Sequence, residues 1–169
     1  IARTQLADAC TLPVTVQDLP VGVDAEGADA WAFQGVLADG VRVGAPPDPF
    51  NWHGQNWGVP PFIPWRLRQT GYEAFIETLR ATLNGARGLR IDHVMGLSRL
   101  WWIPTGFSPT EGAYVRYPAH ELFDIIAIES HRAKAVIIGE DLGTVEGGFR
   151  EELQKRQMLS YRVDRKSVV

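Results

Sequence analysis

Residues 88–93 read Gly-Leu-Arg-Ile-Asp-His, and residues 135–143 read Ala-Val-Ile-Ile-Gly-Glu-Asp-Leu-Gly. Each stretch is a short apolar run that ends in charged residues and glycine, which is the pattern of a buried parallel strand. In barrels of alternating strands and helices, catalytic side chains gather where the strands end. The acids at these two ends, Asp92 and Glu140, are therefore the first candidates for chemistry.

Arg90 and Asp92 are expected to point to one face of their strand, because residues two apart on a strand share a face. An arginine beside an aspartate favours the charged form of the carboxylate. The pattern predicts Asp92 as an ionised nucleophile and Glu140 as the acid of a retaining glycosidase-type pair. Acids also end strands in barrels of other chemistries, where structural ion pairs are at least as common. Asp141 is expected to point to the opposite face and to cap a turn or helix start.

The apolar spacing around these two stretches predicts the neighbouring elements. Alternating strands and helices indicate an α/β fold with a parallel sheet and right-handed crossovers, either part of a barrel or a doubly wound sheet. A closed eight-stranded barrel takes about 250 residues. We therefore interpret residues 1–169 as one segment of a (β/α)8 TIM-type barrel, about its middle four strands and incomplete at both ends. The predicted strands are 12–17, the run ending at Asp92, 135–139 and 158–163; the predicted helices are 72–83, a short one over 97–103, 118–132 and 151–157.

Residues 39–65 form a long segment with little periodicity that is rich in proline, glycine and aromatic residues. Loops of this length are uncommon in compact domains and tend to be functional. Aromatic rings bind the C–H face of a pyranose, while amides and carboxylates bind its hydroxyls. The segment therefore predicts sugar-binding residues, although core packing is the alternative for any single tryptophan. The candidates are Asp48, Asn51, Gln55 and Trp57, together with His93, which either binds a sugar hydroxyl or holds its loop.

The composition excludes several classes of protein. The net charge is −3 and the basic residues are scattered, so a nucleic-acid partner is not expected. No run approaches the roughly 20 apolar residues of a membrane span, and the first residues lack a secretory signal pattern, so a cytoplasmic location is expected. A single cysteine, Cys10, excludes an internal disulfide. No cluster has metal-ligand spacing and Gly147-Gly148 is not a phosphate loop, so neither a metal nor another cofactor is expected.

Five blocks, taken in order, resemble the amylomaltase family of 4-alpha-glucanotransferases. The resemblance implies a barrel enzyme that moves alpha-1,4-glucan segments between maltooligosaccharides without a metal. It also implies that Asp92 is the nucleophile, that Glu140 is the acid/base and that Arg90 keeps Asp92 charged. The segment 39–65 would then contain a loop that arches over the acceptor side of the cleft. The blocks are residues 18–20 with Asp24 and 28–31, residues 44–50 with 54–58, residues 90–93, residues 111–115 and residues 139–145.

The same family pattern includes a third catalytic aspartate, preceded by a histidine on a later strand, and an N-terminal part of the barrel. Neither is found in this sequence, so we expect a truncated product whose isolated chain is inactive and either marginally stable or prone to aggregation. Two other functions stay open from the residues alone. One is an alpha-glucan hydrolase of the amylase clan, and the other is a noncatalytic glucan-binding fragment that uses the aromatic segment.

Overall fold

A computed structural model describes residues 15–161, which form a mixed α/β fold with two four-stranded sheets. The strands along the chain are β1 (Val16–Leu19), β2 (Val41–Ala45), β3 (Gln55–Asn56), β4 (Gly88–Ile91), β5 (Arg99–Pro104), β6 (Ala113–Arg116), β7 (Val136–Gly139) and β8 (Leu159–Ser160). The helices are α1 (Ala28–Ala32), α2 (Pro64–Gln69), α3 (Glu73–Leu83), α4 (Ala119–Ala133) and α5 (Phe149–Lys155), with 3-10 turns at Val94–Leu97 and Pro109–Glu111.

The first sheet is entirely parallel and has the order β1-β4-β7-β8. Leu89 and Ile91 on β4 are buried against the helices, together with Ile137 on β7. Because side chains alternate along a strand, the residues between them face the other side of the sheet. Arg90 and the positions just beyond β4 and β7 therefore lie on the face that carries no helix.

Helices α3 and α4 cover the apolar face of the parallel sheet. On α3, Phe75, Leu79 and Leu83 recur at helical spacing and all three are buried. On α4, the buried Glu129 accepts hydrogen bonds from Arg80 of α3 at 3.0 and 3.1 Å. A carboxylate of this kind is tolerated in the core because it is paired, so the ion pair fixes how the two helices pack.

The second sheet is antiparallel and has the order β3-β2-β5-β6. Its strands come from two connecting segments of the chain, one after β1 and one after β4. Each connecting segment therefore begins at the carboxyl end of a parallel strand. Pairing of β2 with β5 joins them, with Val43 opposite Trp102. The antiparallel sheet is thus connected to the edge of the parallel sheet where the candidate acids lie.

Most of the predicted elements are confirmed, with ends that differ by one or two residues. The helices predicted over 72–83, 118–132 and 151–157 correspond to α3, α4 and α5, and the strand predicted over 135–139 corresponds to β7. Two strand predictions are met in part, since β1 and β8 overlap 12–17 and 158–163. The remaining residues of those two predictions include positions outside the described part of the chain.

Two predictions are wrong. The short helix expected over 97–103 is mostly strand β5, because pairing with β2 and β6 on its two sides outweighs the local apolar pattern. The segment 39–65 is not irregular throughout, since it contains β2 and β3 and ends at the start of α2. Partners distant in sequence stabilise these strands, and a short window of sequence does not reveal such partners.

Gly44 on β2 is expected to be essential for the close approach of β3. A methyl group at this position would meet the carbonyl oxygen of Gln55 and lie 2.6 Å from Cδ1 of Ile103. We predict that Gly44→Ala lowers the free energy of unfolding by about 1–3 kcal/mol, because overpacking forces the strands apart. Chemical denaturation measures this change. Gly35→Ala is the matched control, since nothing lies within 4 Å of its added methyl group; equal stability of the two variants would contradict the prediction.

Candidate active site

Asp92 and Glu140 occupy corresponding positions at the ends of two paired strands. The register places Ile91 of β4 opposite Gly139 of β7, so the next residue on each strand lies at the same level. One oxygen of the Glu140 carboxylate accepts the backbone N–H of His93 at 3.0 Å, and the other accepts the N–H of Leu142 at 2.7 Å. Because His93 follows Asp92 directly, the first contact brings the Glu140 carboxylate beside the Asp92 backbone.

Arg90 connects Asp92 to the strands around it. Its Nη2 donates to the Asp92 carboxylate at 2.7 Å, and its Nη1 donates to both oxygens of Asp18 at 2.7 and 2.9 Å. Its Nε donates to the Tyr161 hydroxyl at 3.1 Å. These contacts, led by the hydrogen bond to Asp18, raise the pKa of the Arg90 guanidinium above its ordinary value. A permanent positive charge therefore lies against the Asp92 carboxylate.

Asp141 serves the structure and does not face the cleft. Its side chain is fully buried, as expected for a residue on the face opposite to Glu140. Among the residues that the structure describes, however, it caps neither a turn nor a helix. One carboxylate oxygen pairs with Nε of Arg150 on α5 at 2.6 Å, and the other accepts the backbone N–H of Tyr161 at 2.9 Å.

His93 lies between the two acids and the aromatic segment. Its backbone is left-handed, with φ of 45°, and the edge of its ring meets Trp57 with centroids 5.2 Å apart. Burial lowers the pKa of the His93 imidazole below its ordinary value, and the carboxylates of Glu140 and Asp92 offset this effect only in part. The ring is therefore favoured in its neutral form, which can both donate and accept a hydrogen bond.

The predicted residues of the aromatic segment divide into two groups. Asp48, Gln55 and Trp57 line the same cleft as Asp92, His93 and Glu140. The Gln55 side-chain oxygen accepts the Trp57 indole N–H at 2.9 Å, which orients both side chains. Asn51 instead closes the tip of the loop, where its backbone N–H donates to Asp48 Oδ1 at 2.7 Å. Asp48 therefore both borders the cleft and organises the loop.

The cleft has a volume of about 740 Å³, which is within the range of small-molecule sites. Besides the predicted residues, the antiparallel sheet supplies Arg99, Trp101 and Tyr114. The Trp101 and Tyr114 rings meet edge to face at 4.9 Å, and the Arg99 guanidinium lies 4.0 Å from the Tyr114 ring centre. The cleft thus has the candidate acids of the parallel sheet on one side, and Arg99 with the aromatic groups of the antiparallel sheet on the other.

Two residues that complete the Arg90 network were not predicted as site residues. Asp18 stands near the end of β1 and pairs in register with Arg90, so its position at a strand end was an available signal. Tyr161 lies 71 residues from Arg90, and no local pattern indicates that they meet.

A family model described as 4-alpha-glucanotransferase matches residues 2–167 of the chain. The chain belongs to the 4-alpha-glucanotransferase family. It is 54% identical over 142 residues to a 4-alpha-glucanotransferase of Mycobacterium bovis, covering 84% of this chain and 20% of that protein. It is 48% identical over 144 residues to the Haemophilus influenzae protein of the same name, covering 85% and 21%. The resemblance read from the sequence is confirmed.

Solved structures agree with this membership of the 4-alpha-glucanotransferase family. The crystal structure of amylomaltase from Corynebacterium glutamicum has a TM-score of 0.90 and 41% sequence identity to this chain, covering 94% of it and 24% of the amylomaltase. The chain thus spans about a fifth to a quarter of the length of these relatives. The mixed α/β fold with a parallel sheet is shared with that amylomaltase.

Within residues 15–161, no helix combines the length and apolar character needed to cross a bilayer. In the same range, no group of three or more His, Cys, Asp or Glu side chains is arranged to hold a metal ion. The cytoplasmic location expected from the sequence stays a prediction.

The His93 ring is expected to make stability depend on pH in a defined direction. Because its folded pKa lies below the unfolded value of about 6.5, the unfolded chain binds the proton more readily. The stabilising contribution of the neutral ring is present above about pH 6.5 and is lost as the pH falls from there through the folded pKa. Urea unfolding as a function of pH should show this loss in the wild type.

His93→Asn is the comparison variant, because asparagine tolerates a left-handed backbone and does not titrate. We expect the wild type to lose stability relative to His93→Asn as the pH is lowered, and the His93 NMR signal to titrate below about 6.5. If the difference in unfolding free energy between the two proteins stays constant across this pH range, the ring is not desolvated as described.

Proposed function

We propose that the complete protein carrying this chain is a 4-alpha-glucanotransferase that transfers alpha-1,4-glucan segments between maltooligosaccharides with retention of configuration. One observation carries the proposal. In a chain that belongs to this family, Asp92 and Glu140 extend from paired strands into one cleft, and the Glu140 carboxylate is bonded to the residue that follows Asp92. Retaining enzymes need two carboxyl groups about 5–5.5 Å apart, and neighbouring parallel strands can supply that separation.

In the proposed reaction, Asp92 attacks the anomeric carbon of the donor glucan as the glycosidic bond breaks. Glu140 gives its proton to the departing oxygen, so the first product leaves as a free hydroxyl. The acceptor hydroxyl then returns a proton to Glu140 and displaces the Asp92 carboxylate from the same carbon. Two inversions give net retention, and both carboxyl groups end as they began.

Arg90 supports the nucleophile in this proposal. Its charged guanidinium touches Asp92 and favours the ionised carboxylate that the first step needs. Asp92 keeps 38% of its side-chain surface exposed, so the group held by Arg90 is still open to a substrate.

The aromatic side of the cleft gives a physical reason for transfer in preference to hydrolysis. Trp57, Gln55 and His93 form a connected group beside the acids, and Asp48 borders it. An acceptor sugar bound on such a surface has a high effective concentration and takes the place of water. We assign these residues to substrate binding, and we assign Asn51 to ordering the loop that carries Asp48.

We further propose that the parallel sheet forms neighbouring strands of a (β/α)8 barrel and that residues 1–169 form one segment of this catalytic domain. The helices lie on one face of the sheet, while Arg90 and its partners lie on the other, as they would around a barrel interior. Active sites of such barrels lie at the carboxyl ends of the strands, where Asp92 and Glu140 are found.

The roles of the two acids are separable with an activated donor. Alpha-maltosyl fluoride has a leaving group that needs little protonation, so an enzyme without its acid can still form the glycosyl intermediate. We predict that Glu140→Gln loses transfer from maltotriose by more than about 10³-fold but releases fluoride in a rapid first turnover. Asp92→Asn should lose both reactions. Glu151→Gln, an exposed residue on α5, is the control; rapid fluoride release by Asp92→Asn would contradict the assignment.

The products from maltotriose test the proposed function itself. A transferase yields glucose and longer maltodextrins while the number of reducing ends stays constant. Chromatography of the products with a reducing-end assay should show both results for the complete protein. A rise in reducing ends would indicate an alpha-glucan hydrolase, and binding without turnover would indicate a noncatalytic glucan-binding protein. Either outcome would overturn the proposal.

A further inference from the structure

Tyr161 contacts the nucleophile's arginine from a distant part of the chain. It directly follows β8, yet its hydroxyl accepts a hydrogen bond from Nε of Arg90 on β4, across the intervening β7. The Arg90 guanidinium also lies 5.8 Å from the centre of the Tyr161 ring. The side chain of Arg90 is only 27% exposed, so this contact holds a largely enclosed group.

The position of Tyr161 is itself fixed from the core. Its backbone N–H donates to Oδ1 of the fully buried Asp141 at 2.9 Å. The other oxygen of Asp141 pairs with Arg150 on α5. Since a buried carboxylate needs its partners, this arrangement leaves Tyr161 little freedom to move away from Arg90.

All three guanidinium nitrogens of Arg90 are engaged, each with a different residue. Nη1 binds Asp18, Nε binds Tyr161, and Nη2 binds Asp92. A guanidinium is a rigid plane, so holding two of its edges determines where the third points. Asp18 by itself would leave the plane free to turn about the Asp18 contact. Tyr161 supplies the second fixed point that aims Nη2 at the nucleophile.

We propose that Tyr161 is a positioning residue for glycosyl transfer, whose hydroxyl orients Arg90 so that Arg90 holds Asp92 ready to attack. The proposal rests on the function proposed above. Tyr161 acts only through Arg90 and does not touch the reacting atoms. Asp141 and Arg150 extend the same support to α5, so the nucleophile is oriented partly by a helix on the far face of the sheet.

Tyr161→Phe in the complete protein tests the proposal, because it removes the hydroxyl and keeps the ring. We expect kcat for maltotriose disproportionation to fall about tenfold, the size of effect typical of a hydrogen bond to a charged group, with KM nearly unchanged. The first release of fluoride from alpha-maltosyl fluoride, which reports attack by Asp92, should slow by the same factor.

Tyr72→Phe is the matched control, since the Tyr72 hydroxyl is buried and has no hydrogen-bond partner among the described residues. It should keep the wild-type kcat and the wild-type rate of first fluoride release. Because the proposal assigns the effect to the hydroxyl, Tyr161→Ala should lose about as much kcat as Tyr161→Phe. The proposal is overturned if Tyr161→Phe matches the wild type, or if it loses kcat while its first fluoride release keeps the wild-type rate. An inactive wild type would instead reject the proposed function.

Discussion

The parallel pairing of β4 with β7 is the constraint on which the candidate site depends. Its register sets Ile91 opposite Gly139, and one residue further along it sets Asp92 level with Glu140. A shift of one residue would turn every side chain on a strand to the other face, exchanging the charged groups of the cleft for core residues. The burial of Leu89, Ile91 and Ile137 against the helices opposes such a shift. The same strand register therefore both buries the core residues and places the two acids.

The two sheets contribute different chemistry to one cleft. The parallel sheet carries charged groups at its strand ends, held by the hydrogen bonds of Arg90 and Glu140. The antiparallel sheet carries Trp101 and Tyr114, and Trp57 directly follows its strand β3. The antiparallel strands lie in the chain segments that follow β1 and β4. These connections therefore bring the aromatic groups beside the charged groups of the parallel sheet. The groups proposed to break the glycosidic bond and the surface proposed to bind sugars thus lie side by side.

The sequence was sufficient to predict α3, α4 and α5 and to locate the parallel strands, because each is marked by its own apolar spacing, but it did not indicate the short helices α1 and α2. It also indicated that Arg90 and Asp92 share a face, and the 2.7 Å contact between them agrees with that prediction. It did not reveal β5, whose Trp101 and Trp102 fit a strand only when β2 and β6 are in place. The contacts of Arg90 with Asp18 and Tyr161 join residues 72 and 71 positions apart. The strand-end position of Asp18 was an available signal, whereas no local pattern indicates Tyr161. What the sequence lacks is information on pairing between distant segments.

In the proposed reaction, Asp92 forms a bond to the sugar and Glu140 gives and regains the proton. The most direct test is mass spectrometry of the Glu140→Gln variant after brief exposure to alpha-maltosyl fluoride, followed by proteolysis and peptide sequencing. We predict a single maltosyl adduct, carried by the Asp92 side chain. An adduct on another residue, or fluoride release in solution with no adduct on Asp92 at any time, would contradict it.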